Sequence, residues 1–215
     1  MQHNNQEYLV ITNQHVLRAG EPPYTIETVD GITYRAEVIT QMSTSEDEYD
    51  LAMLKFQADT DYQTAKIGSS GNLEVGESVF AAGFPHQELS LPKTSAVWAQ
   101  SNIFGPRKLS LKLGRVAIIL NQPLTEGYQI GYTNDVQKGM SGGPLFNSQA
   151  EVIGINGKHA YPLWESPEIY QDGSELCPAL QELITRSSLA IPIEKTLELS
   201  KQLKPLKSVE LEDSV

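Results

Sequence analysis

The first 160 residues consist of short apolar, β-branched runs cut apart by turn residues, and this spacing restricts the fold more than any other feature. YLVITN (8–13), YTIETV (24–29), ITYRAEVIT (32–40), DLAMLKF (50–56), SVFAAGF (78–84), GRVAIIL (114–120), YQIGYT (128–133), GPLF (143–146) and EVIGIN (151–156) all have strand length and strand composition. Gly, Pro, Asn or Asp stands between most of them. Asp30-Gly31 joins two such runs, and an Asp-Gly pair there predicts a hairpin turn in which both central residues tolerate positive φ. GPLF and EVIGIN make a second hairpin-sized pair. Many short strands at turn-separated spacing predict a β-barrel or sandwich, not alternating β and α units.

The texture changes after residue 160. CPALQELITR (177–186) predicts a helix, with Pro178 just inside its start and apolar residues at helical spacing. SLAIPI (188–193) reads as a strand closed by Pro192, EKTLELSKQLK (194–204) as a terminal helix, and 205–215 as a mobile charged tail. There is no internal repeat of fixed period.

Composition excludes several function classes. The net charge is -11, from 16 basic and 27 acidic residues, which argues against a nucleic-acid binder because counterion release needs clustered Lys and Arg. It also disfavours an anionic membrane surface. No apolar run approaches the roughly 18 residues of a membrane span. The single cysteine, Cys177, rules out an intrachain disulfide. The start, MQHNNQEY, is polar and shows no leader peptide.

The segment KGMSGGPLF (138–146) carries the chemistry. Ser141 sits among Gly139, Gly142, Gly143 and Pro144, in a stretch able either to form a surface turn or to expose a nucleophile. A serine nucleophile needs a base and an acid to orient that base. Of the histidines at 3, 15, 86 and 159, His15 stands out because it ends the strand-like run YLVITNQHVL. Asp50 opens DLAMLKF, and an acid at the head of an apolar run is expected to be partly buried. The order is His15, Asp50, Ser141. GMSGG also fits Gly-x-Ser-x-Gly, the elbow of α/β-hydrolases. That elbow leads into a helix, which Gly142-Gly143-Pro144 starts poorly. Its acid and histidine also follow the serine, whereas only His159 follows here and no Asp lies in 142–158.

The order His, Asp, Ser resembles that of chymotrypsin-fold serine proteases. The surrounding residues resemble the bacterial trypsin-like and HtrA/Deg-type branch of that family: TNQHV, DLAMLK, AAGFP (81–85), GMSGGPL, EVIGING and SLAIPI. These pieces run from about residue 8 to 193. The resemblance implies an all-β fold of two antiparallel six-stranded β-barrels with a C-terminal helix. The protease domain would span 1–204, with about 1–75 in the first barrel, about 76–193 in the second and 194–204 in the helix. It implies a serine endopeptidase acting on protein or peptide substrates through an acyl-enzyme, with no metal or organic cofactor. His15 would be the general base, Asp50 its orienting acid and Ser141 the nucleophile. The backbone N–H groups of Gly139 and Ser141 would form the oxyanion hole. The alternative is an impaired or truncated homologue that still binds extended peptides.

Specificity is read from the same resemblance. Asp135, six positions before Ser141, would sit at the floor of the specificity pocket and favour Lys or Arg; as a residue beside Asn134 it reads equally as a turn or cap. Ile155, Asn156, Gly157 and Lys158 resemble the strand that pairs with substrate backbone, and Ser188, Leu189 and Ala190 the opposite pocket wall. His86 reads as a loop residue, His3 as part of a frayed end and His159 as a cleft-rim candidate. Tyr161, Trp164 and Tyr170 read as a satellite core or a cleft rim. No spacing resembles a zinc site, and the acidic 43–50 stretch lacks the ligand pattern of an EF-hand.

The sequence departs from the family at its start. Only fourteen residues precede His15, so the first barrel is expected to lack its opening strand or strands: either the true start lies upstream, or this is a fragment, or another chain fills the gap. The compartment and the oligomeric state therefore stay open. No PDZ-like region is expected. Met140 beside the serine offers no acid to pair with a newly cut N-terminus.

Overall fold

The structure is a computed structural model that describes residues 6–43, 48–86, 108–161 and 168–202. His3, Trp164, the 205–215 tail and much of the acidic stretch before Asp50 lie outside the described residues. The elements in chain order are β1 (Gln6–Thr12), α1 (Gln14–Arg18), β2 (Tyr24–Glu27), β3 (Thr33–Ser43), β4 (Glu48–Ala58), β5 (Ser78–Gly83) and β6 (Ser110–Ile119). A 3-10 turn (Thr125–Gly127) precedes β7 (Ile130–Tyr132), β8 (Pro144–Phe146), β9 (Val152–Lys158), α2 (Pro178–Thr185), β10 (Ser188–Pro192) and α3 (Ile193–Gln202).

Strands β5 to β10 close a six-stranded barrel in the order β10-β7-β6-β5-β8-β9, and β1 to β4 form a four-stranded sheet in the order β1-β4-β3-β2. Neighbouring strands in both are antiparallel. The fold is mostly β with few helices, as the strand spacing predicts. The first half differs from a six-stranded barrel: among the described residues it is a four-stranded sheet with β1 and β2 at its edges.

Strand β4 joins the two halves. Leu51 and Met53 point into a core shared with Leu120, Leu124, Tyr128, Val152, Ile155, Leu189, Ile191 and Ile193. Ala52, Leu54, Phe56 and Ala58 point the other way, into the core of the first sheet with Tyr8, Leu17 and Ala36. Side chains alternate along a strand, so a strand buried on both faces reads as the unbroken apolar run LAML. The barrel has its own core around Val79, Val116, Ile130, Tyr132, Leu145 and Ile153.

The Asp30-Gly31 turn departs from its predicted form. Strand pairing ends at Glu27↔Thr33, so the loop has five residues, and of the two central residues only Gly31 takes positive φ (79°). Thr28 Oγ1 bonds Asp30 Oδ1 (2.5 Å), and Thr28 N–H donates to the Ile32 carbonyl (2.9 Å), closing this longer loop. The two C-terminal helices, α2 and α3, fall where the sequence places them, with Pro178 in the first turn of α2. Glu194 at the start of α3 accepts hydrogen bonds from Ser69 Oγ, Ser70 N–H and Ser70 Oγ (2.8, 2.8 and 2.6 Å). These bonds fasten α3 to the segment linking β4 and β5. Among the described residues no helix is long and apolar enough to cross a membrane.

Candidate active site

His15 is the second residue of α1, one short turn past the end of β1. The histidine is therefore carried by a helix, not by a strand end as the apolar run suggests. Asn13, the residue before α1, is fully buried and donates Nδ2–H to the Asp50 carbonyl oxygen (2.8 Å). This bond ties the entrance of α1 to β4.

Asp50 grips His15 at two points. The His15 backbone N–H donates to Asp50 Oδ1 (2.8 Å), and His15 Nδ1 lies 2.5 Å from Asp50 Oδ2. A third donor, the Tyr128 hydroxyl, reaches the same Oδ2 at 2.5 Å. The Asp50 side chain is 3% exposed and that of His15 44%. Burial alone raises the Asp50 pKa, but hydrogen bonds from His15 and Tyr128, with the nearby imidazole, outweigh it and hold the carboxyl below its usual range. The hydrogen bond that His15 donates to Asp50 raises the His15 pKa. Burial opposes this, the charges of Asp50 and Glu126 add to it, and Lys158 subtracts. The other ring nitrogen of His15, Nε2, has no hydrogen-bond partner among the described residues.

Ser141 reaches this group from the barrel side. Its hydroxyl donates to the Gly157 carbonyl at 3.0 Å. Gly157 in turn lies against the Tyr128 hydroxyl, which bonds Asp50. A second route joins the same elements: Gly142 (φ 81°) packs onto Thr12 and Asn13, and any Cβ there would overlap Thr12 Oγ1. Gly142 therefore gives the loop a turn and a close approach that other residues resist. Gly142 against Thr12 and Asn13, and Gly157 between Ser141 and Tyr128, thus connect the loop before β8 to the elements that carry His15 and Asp50.

The loop also fixes two peptide groups. The His86 N–H holds the Lys138 carbonyl (2.9 Å), and the Gly143 N–H holds the Met140 carbonyl (3.1 Å). A trans peptide points its C=O and N–H in opposite directions, so these bonds orient the N–H groups of Gly139 and Ser141. Among the described residues neither N–H donates a hydrogen bond. Gly139 has φ 96°, and a Cβ there would sit 2.6 Å from the Phe84 carbonyl oxygen. His86, expected only as a loop residue, shapes this loop through its backbone.

The expected specificity residues fare differently. Asp135 is not a pocket floor: its side chain is 72% exposed and pairs with Lys112 (3.3 Å) and Gln137 (2.8 Å) on the surface. One position earlier, the buried Asn134 points inward and donates to the Val79 and Lys112 carbonyls. Asn156 is fully buried and braces the barrel, bonding the Ala82 and Pro144 carbonyls and the Tyr132 hydroxyl. Ile155 is core. Ser188, Leu189 and Ala190 are buried in β10, which pairs with both β7 and β9. Gly157 offers its carbonyl to Ser141, while Lys158 pairs with Glu168 (2.7 Å) and Glu126 (3.5 Å).

Next to Ser141 lies an apolar groove of about 510 Å³. It is lined by Val10, Val16, Leu17 and Ile26 on one side and by Met140 and Phe146 on the other. None of the seven specificity candidates outside the serine loop, nor Asp135, lines this groove. Among the described residues no group of His, Cys, Asp and Glu is placed to hold a metal ion.

Comparison with known proteins matches residues 3–155 to the trypsin-like peptidase domain. The chain belongs to the trypsin-like peptidase family. Its relatives include a Serine protease Do-like HtrA of Lactobacillus helveticus, 34% identical over 157 residues, covering 73% of this chain and 33% of the relative. A probable periplasmic serine endoprotease DegP-like of Hahella chejuensis is 30% identical over 203 residues, covering 91% of this chain and 33% of the relative. A Serine protease HTR4 of Rattus norvegicus is 31% identical over 153 residues, covering 71% of this chain and 28% of the relative. The chain thus spans a third or less of the length of these curated relatives. The resemblance read from the six short motifs is the family found.

Tyr128 is the site residue the sequence reading missed. It lies inside the run YQIGYT and reads there as an ordinary strand aromatic. The packing of the 3-10 turn onto β4, with Gly127 against the Tyr49 ring, brings its hydroxyl to Asp50.

Proposed function

We propose that this peptidase-family domain is a serine endopeptidase that cleaves protein or peptide substrates through an acyl-enzyme. The observation that carries this reading is the two-point hold of Asp50 on His15, together with a serine loop that orients two N–H groups which donate no hydrogen bond among the described residues. In the proposed reaction Ser141 Oγ attacks the scissile carbonyl carbon and its proton passes to His15 Nε2. The carbonyl oxygen becomes an oxyanion, and the Gly139 and Ser141 N–H groups stabilise it. His15 then gives the proton to the leaving amine. Water hydrolyses the ester with His15 again as base. Asp50 keeps the proton on Nδ1 and stabilises the imidazolium.

The depressed pKa of Asp50 supports its role as a permanent anion, and the raised pKa of His15 supports a base strong enough to take the serine proton. The apolar groove supports a preference for apolar side chains near the scissile bond.

A second reading is a homologue that binds extended peptides without cleaving them. One observation favours it: the Ser141 hydroxyl is bonded to Gly157, not to His15. The first reading requires this hydroxyl to turn from Gly157 to His15 when substrate arrives. Burst kinetics with p-nitrophenyl acetate separates the two. The endopeptidase reading predicts a stoichiometric burst and an acetyl group on Ser141 by mass spectrometry. Peptide binding without a burst would favour the second reading.

A further inference from the structure

The Tyr128 side chain is fully buried, yet its hydroxyl points at a carboxylate. A buried Tyr needs a partner for its O–H. Here the partner is Asp50 Oδ2 at 2.5 Å, the same oxygen that meets His15 Nδ1. Oδ1 is taken by the His15 N–H. Both carboxylate oxygens are thus pinned, and the carboxylate plane has no rotation left that keeps these bonds.

The surroundings are built around this hydroxyl. Gly157 leaves it room, since a Cβ on residue 157 would overlap the Tyr128 hydroxyl oxygen and lie 2.6 Å from Cζ. The turn that carries Tyr128 is pressed against β4 at Tyr49, whose ring a Cβ on Gly127 would overlap. Glu126 and Gly127 both take positive φ (65° and 87°) to make that approach. For Glu126 this is a costly conformation, of the kind that persists only where its surroundings hold it. Lys158 Nζ sits 4.9 Å from the centre of the Tyr128 ring, held there by Glu168 and Glu126. Burial first, then the Asp50, Glu126 and Glu168 carboxylates, push the Tyr128 pKa well up, so the phenol keeps its proton and acts as donor.

We infer that Tyr128 is a positioning residue: its hydroxyl fixes Asp50 so that Asp50 in turn holds His15 in register with Ser141. This rests on the serine-endopeptidase reading of the same site. The Tyr128 hydroxyl bonds Asp50, while the Ser141 hydroxyl bonds Gly157. Tyr128 acts through Asp50, and Gly157 is its structural counterpart, giving space to the hydroxyl while its own carbonyl receives Ser141.

The test is Tyr128→Phe in the full 215-residue chain, which keeps the ring and removes only the hydroxyl. A hydrogen bond to a charged group is worth enough to expect kcat to fall about tenfold or more, with KM unchanged. The Asp50 charge, no longer shared with the phenol, falls more fully on the imidazole. The acid limb of kcat/KM therefore moves to higher pH, with Glu126 and Lys158 still acting on His15 as before. The His15 pKa is also read directly by NMR of its Cε1 proton, which needs no activity. An upward shift of that pKa in the variant is the expected result. A folded variant with the His15 titration and kcat both unchanged would overturn the inference and leave Tyr128 as filler. Failure of the parent reading looks different: the unmodified chain would show no burst and no turnover, while the NMR titration would still report whether Tyr128 acts on the Asp50–His15 pair.

Discussion

Asp50 meets His15 at both carboxylate oxygens, Oδ1 at the backbone N–H (2.8 Å) and Oδ2 at Nδ1 (2.5 Å). An amide cannot make both contacts as an acceptor. Asp50→Asn is therefore expected to favour the wrong imidazole tautomer and to lower kcat by roughly 10⁴-fold, the loss seen when such an acid is amidated in a Ser-His-Asp triad. Steady-state kinetics, with circular dichroism to check the fold, measures this.

The same pair sets the pH dependence of activity. His15 must be neutral to take a proton, and its pKa is raised above the ordinary 6.5 by its hydrogen bond to Asp50. The acid limb of kcat/KM should therefore have its midpoint above 6.5. A limb centred below that value would contradict the bonded arrangement.

Stability follows from the signs of the two shifts. The raised pKa of His15 means that its contribution is fully present below 6.5 and is lost as pH rises through the folded value. The lowered pKa of Asp50 means that its contribution is present above 3.8 and is lost as pH falls through the folded value. Denaturation midpoints should accordingly decline on the acid side below 3.8 and on the alkaline side above 6.5. His15→Ala should flatten the alkaline decline.

Gly142 and Gly31 have nearly the same φ (81° and 79°) but opposite surroundings. A Cβ on Gly31 meets nothing within 4 Å, whereas one on Gly142 overlaps Thr12. Gly31→Ala should cost about 1 kcal/mol, the strain of a left-handed residue alone. Gly142→Ala should cost more, roughly 2–4 kcal/mol as that strain adds to overpacking, and should lower activity by moving Ser141. Urea denaturation of both variants gives the comparison.

Asp135 pairs with Lys112 on the surface, its side chain 72% exposed. Asp135→Ser should leave the ratio of cleavage after Lys or Arg to cleavage after apolar residues unchanged. Stability should move by less than about 0.5 kcal/mol. A selective loss on Lys and Arg substrates, by peptide-library profiling, would return Asp135 to a binding role.

Particular residues show how far the sequence carries. The strands were legible because β-branched runs alternate with turn residues, and α2 because Pro178 opens it. The unbroken LAML was legible as a strand, but its two-sided burial became visible only when Leu51 and Met53 faced one core and Leu54 and Phe56 the other. His15, Asp50 and Ser141 were legible as candidates because each lies in its own recognisable motif. Tyr128 was not, because a tyrosine in a strand-like run carries no signal of which way its hydroxyl points. Asp135 misled because a one-residue shift exchanges an inward and an outward side chain, and the inward one is Asn134.

The central claim is that His15 and Ser141 act together on a substrate carbonyl. Fluorophosphonate labelling of the purified chain, beside Ser141→Ala and His15→Ala, tests it most directly. One label per unmodified chain is expected, attached at Ser141, with labelling lost in both variants while they remain folded. A folded, unmodified chain that takes no label, or a His15→Ala variant that labels as fast as the parent, would contradict it.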